Sequence, residues 1–67
     1  MMTIDRAREL LNLQINMGSG SGYNRNSAML ILAEVQRVHG QAAVDQLIRD
    51  LDLGSVFAIK AGEKIII

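Results

Sequence analysis

Between Ala28 and Val38 the chain reads AMLILAEVQRV, and this stretch limits most what the protein can fold into. Ala28, Ile31, Leu32, Val35 and Val38 recur at helical spacing, while Met29, Leu30 and Ala33 carry apolar surface around most of the circumference. A helix that is apolar nearly all round must be covered on several sides. Few neighbours exist within 67 residues to cover it.

A domain of this size buries only about 60% of the surface its unfolded chain exposes. Ordering opposes folding by roughly 1.5 kcal/mol per residue. Staples are absent: there is no cysteine, hence no disulfide and no thiolate metal site. His39 is the single histidine, and a metal site built on it would need several carboxylates close by. Tyr23 and Phe57 are the only aromatic residues, so the core is expected to be aliphatic. Association is the remaining common route by which a small chain gains core. The reading is therefore a homodimer that uses this central helix, with Met29, Leu32 and Val35 among its interface residues.

The rest of the chain divides readily. Residues 3–17 read as a first helix, with Thr3 as cap and Asp5 in the first turn, where the helix dipole favours an anion. Ile4, Ala7, Leu11 and Ile15 follow its period. Residues 18–22 are GSGSG, which has the composition of a flexible linker of the kind also used in protein design. The central helix spans 25–39, capped by Asn24 or Asn26, and Gly40 stops it. Residues 41–52 form a third helix, with Val44, Leu47, Ile48 and Leu51 inward and Asp45, Gln46, Arg49, Asp50 and Asp52 toward water. Gly54 ends it. Residues 55–67 are expected to form a short β-hairpin or an extended tail, with strands at 56–60 and 64–67 and a turn at Ala61-Gly62-Glu63. The rival is a brief helical turn capped by Ser55. The fold class expected is mainly α: a three-helix single domain with this C-terminal hairpin or tail.

Function is less legible. Charge balances at seven basic and seven acidic residues, which argues against a phosphate-binding surface. RVHGQAAV looks like the turn of a helix-turn-helix, and a bihelical unit before a hairpin resembles a winged-helix DNA-binding regulator. The phase fails: with Gly40 at the turn, Gln36, Gln46 and Arg49 fall where the motif packs small or apolar residues. The third helix also sets three aspartates against one arginine. GSGSGYNRN before a helix suggests a nucleotide or phosphate site at Gly20, Gly22, Tyr23 and Arg25. The phosphate-loop lysine is missing, however, and a helix rather than a strand precedes the glycines. Catalysis has no nucleophile paired with His39, whose place beside Gly40 suits a helix C-cap. No enzyme activity, cofactor or metal is expected.

No apolar run reaches the ~18 residues of a membrane span, and MMTIDRARELL does not have the order of a secretory signal; a cytoplasmic protein is expected. The layout resembles many short bacterial and phage proteins, which transfers nothing to individual residues. The function expected is a non-enzymatic protein-interaction module, a small homo-oligomeric regulator or inhibitor of another protein. Its interaction residues would be Met29, Leu32, Val35, Phe57, Ile65, Ile66 and Ile67.

Overall fold

The computed structural model describes residues 2–17 and 22–66. Helix α1 spans Ile4–Asn16, α2 Gly22–His39, α3 Gln41–Asp50 and α4 Leu53–Phe57. Thr3 caps α1 as expected, its Oγ1 accepting the Arg6 N–H at 3.1 Å. Helix α2 begins three residues earlier than read, so that both Asn24 and Asn26 lie inside it. Gly40 separates α2 from α3 with φ 94° and ψ 174°, a conformation essentially reserved for glycine.

Leu32, Val35, Val44, Leu47 and Leu53 are fully buried, with Ala7, Leu11 and Ala28 between them. This core closes within one chain. The radius of gyration is 10.5 Å, against about 11 Å for a compact monomer of this length. Burial of the α2 stripe therefore does not require a second subunit.

The C-terminal hairpin is not formed: no strand occurs among the described residues. Two causes replace it. Leu53 and Phe57 lie one helical turn apart and both are buried, so 53–57 gains more as a short helix against α3 than as a strand edge. Asp52 enters this helix with φ 54° and Ala58 leaves it with φ 58°, two non-glycine residues in the left-handed region. Asp52, and not Gly54, thus breaks the chain after α3, which ends at Asp50. The other cause lies beyond Ala58. The chain runs extended as a strap, and its backbone finds partners in side chains where a hairpin would supply a second strand. The turn expected near Gly62 is present, with φ 86° there. Ile59 is buried with Phe57 and Lys60 is exposed, as a strand at 56–60 would have placed them but reached without one, whereas Ile65, read as part of an exposed terminal run, is buried as well.

Candidate interaction surface

Polar side chains of α2 and α3 hold the strap in place. Arg25 Nε donates to the Phe57 carbonyl at 2.8 Å, at the C-terminal end of α4. The Gly62 N–H donates to Asp45 Oδ1 at 2.7 Å. Gln41 Nε2 donates both to Asp45 Oδ1 and to the Glu63 carbonyl, each at 2.9 Å. Gln36 makes a reciprocal pair with one residue of the strap: the Ile65 N–H donates to Oε1 at 2.7 Å, and Nε2 donates to the Ile65 carbonyl at 2.9 Å. A carboxamide presents a donor and an acceptor side by side, so it completes an extended residue as a neighbouring strand would. Backbone groups left buried without a partner would be costly, and these bonds meet that demand.

Between α2 and the end of the strap lies an open groove of about 330 Å³, lined by Arg25, Asn26, Met29, Leu30 and Ile66. Leu30 is 59% exposed and Ile66 80% exposed. The sequence pattern had placed Leu30 in an all-round apolar helix. In the fold it shares the solvent side of α2 with Asn26 and Arg37, and it is the large apolar residue there.

The interaction residues read from sequence divide by place. Leu32 and Val35 are sealed in the core, and Phe57 and Ile65 anchor α4 and the strap to it. Met29 is half-buried on the groove wall and Ile66 stands at its edge. Ile67 lies outside the described residues. Of the phosphate-site residues, Gly20 also lies outside them, Gly22 and Tyr23 fall in the first turn of α2, and Arg25 is bonded to Phe57. The residues that sequence reasoning missed are Gln36, Gln41 and Leu30. The available signal was Gln36, a polar residue on the flank of an apolar stripe.

Three of the arginines have carboxylate partners. Arg6 pairs with Glu9 at 3.8 Å, Arg8 with Asp50 at 3.1 Å, and Arg37 with Glu34. His39 caps no helix end with its ring; its Nε2 donates instead to the Met2 carbonyl at 2.8 Å. No group of side chains suited to a metal ion occurs among the described residues, nor any helix there long and apolar enough to cross a membrane.

Two aspartates expected on a solvated face are structural. The amide of Gln41, then the Gly62 N–H, hold the Asp45 carboxyl below its ordinary range. Gln46, then Arg8, do the same for Asp50. A carboxylate whose folded pKa is depressed contributes stability that is complete above its unfolded value, near 3.9, and is lost as pH falls through the folded value. The urea midpoint is therefore expected to hold steady from about pH 7 to pH 5 and to drop below about pH 4. Asp45→Asn should flatten part of that drop, and an unchanged acid limb in this variant would mean that Asp45 does not hold the strap.

No family model, no curated protein and no solved structure matches the chain.

Proposed function

We propose that the chain is a non-enzymatic protein-interaction module that works as a homodimer, with the face where α2 meets the end of the strap as its contact surface. The observation that carries this reading is the pairing of a protruding Ile66 with the groove beside Leu30 and Met29. A two-fold interface uses the same patch on both subunits and must be self-complementary. Here a knob and a recess share one patch, so two copies can each offer what the other lacks. An apolar centre flanked by Arg25 and Asn26 also has the usual anatomy of such contacts. A small regulator or inhibitor of another protein would be built in this way, with its remaining surface free for the target.

Sedimentation equilibrium over micromolar concentrations tests the proposal. The wild-type chain is expected to dimerise, and Leu30→Glu is expected to remain folded and monomeric, because it places a carboxylate in the apolar centre. A wild type that stays monomeric throughout, or a Leu30→Glu variant that dimerises equally well, would refute it.

A further inference from the structure

The strap is held in an unusual way: by its backbone, from the side chains of other elements, behind a strained hinge. The Ile59 N–H returns to the Leu53 carbonyl at 3.2 Å; beyond it, the bonds of the strap run from the main chain of Gly62, Glu63 and Ile65 to Gln36, Gln41 and Asp45. None of the latter bonds depends on the strap belonging to the same molecule as the helices. The α2–α3 track is in effect a receptor for an extended segment with apolar side chains at positions matching Ile59 and Ile65.

Ala58 is the joint between α4 and this segment. It is exposed, with φ 58° and ψ 35°, and its N–H returns to the Leu53 carbonyl. A left-handed alanine is strained, whereas an extended alanine is not. The chain adopts the strained form to fold the strap back onto its own α2 and α3. Straightening Ala58 releases the strain and directs the strap outward. The base of the hinge stays fixed, because Arg25 holds the Phe57 carbonyl on the near side of the joint.

On the homodimer reading above, we infer that the dimer forms by exchange of the strap: residues 59–66 of each copy lie in the α2–α3 track of the other, with Ala58 extended. Strained hinges favour such exchange, and the bonds from Gly62, Glu63 and Ile65 to the track are remade in the open form, while the Ile59 N–H to Leu53 carbonyl bond at 3.2 Å, which spans Ala58, is given up. The occupant is a second copy because the segment that fits the track is the one this chain carries. Exchange also brings Ile66 of one copy against Met29 and Leu30 of the other, which joins the groove to the same interface.

The hinge residue supplies the test, since it is exposed and touches neither the track nor the groove. Three full-length chains are compared by sedimentation equilibrium: wild type, Ala58→Gly and Ala58→Val. Glycine adopts the left-handed form freely and a β-branched residue resists it. Exchange straightens two hinges per dimer, so Ala58→Gly is expected to weaken dimerisation by roughly tenfold or more, and Ala58→Val to strengthen it. Equal dissociation constants for wild type and Ala58→Gly would overturn the exchange and leave a dimer of closed subunits, with the interaction reading intact. Monomers at every concentration in all three chains would overturn both. Should Ala58→Val fail to fold, the comparison of wild type with Ala58→Gly still decides.

Discussion

Leu32→Asp is expected to leave the chain unfolded at room temperature, with its helical circular dichroism lost. Leu32 is 0% exposed at the centre of the core. Removing its side chain alone costs about 2–5 kcal/mol. Leaving an unpaired carboxylate there adds several kcal/mol more, or forces it to take up a proton. A domain of this length commands only about 3–10 kcal/mol in total. Leu30→Glu, two residues away on the solvent side of α2, provides the contrast and should change stability by no more than roughly 0.5–1 kcal/mol. Equal losses from the two substitutions would mean that α2 is rotated from the orientation described, or that both sides of it are buried in an obligate assembly.

Phe57→Ala is expected to lower stability by about 3–5 kcal/mol, read from the urea midpoint. Phe57 is 7% exposed and closes α4 over the core beside Leu53. Its carbonyl is also the acceptor for Arg25, so the last turn of α4 is tied to α2 through both main chain and side chain. Cavity formation at the root of the strap should loosen Ile59 and Ile65 as well. Hydrogen exchange would show this as lost protection at the Ile65 amide, the donor to Gln36. A cost below about 1 kcal/mol would make α4 and the strap an appendage to a three-helix core.

The contrast between these two positions also marks where sequence reading succeeds. The first three helices are local objects. Their apolar residues recur at helical spacing, Thr3 starts one and Gly40 parts two others, so short-range rules were enough to find them. Beyond Asp50 short-range rules give the wrong answer. VFAIK and KIII favour strands by their branched residues, yet the backbone groups that a strand partner would satisfy are taken by Gln36, Gln41 and Asp45, residues 17 to 29 positions away. Nothing near residue 60 announces those partners. Nor does local pattern single out Asp52 and Ala58 for left-handed backbone, which follows from the path the chain must take between α3 and the strap. The all-round apolar pattern of α2 overstated burial for a related reason. It identified a helix with several neighbours correctly, but periodicity could not tell that one flank would meet a polar-anchored strap and leave Leu30 at the surface.

The backbone character of those anchors bears on how the protein can change over generations. A segment recognised through its amides and carbonyls places little demand on the identity of its residues. Ile59 and Ile65 must be apolar to fill their sockets, and Gly62 must keep its positive φ of 86°. Lys60, Ala61, Glu63 and Lys64 are exposed, and at Glu63 it is the carbonyl that is used. Their side chains can drift in charge and size without loosening the fold. Selection can therefore rewrite the outer surface of the strap while Gln36, Gln41 and Asp45 keep the inner register unchanged.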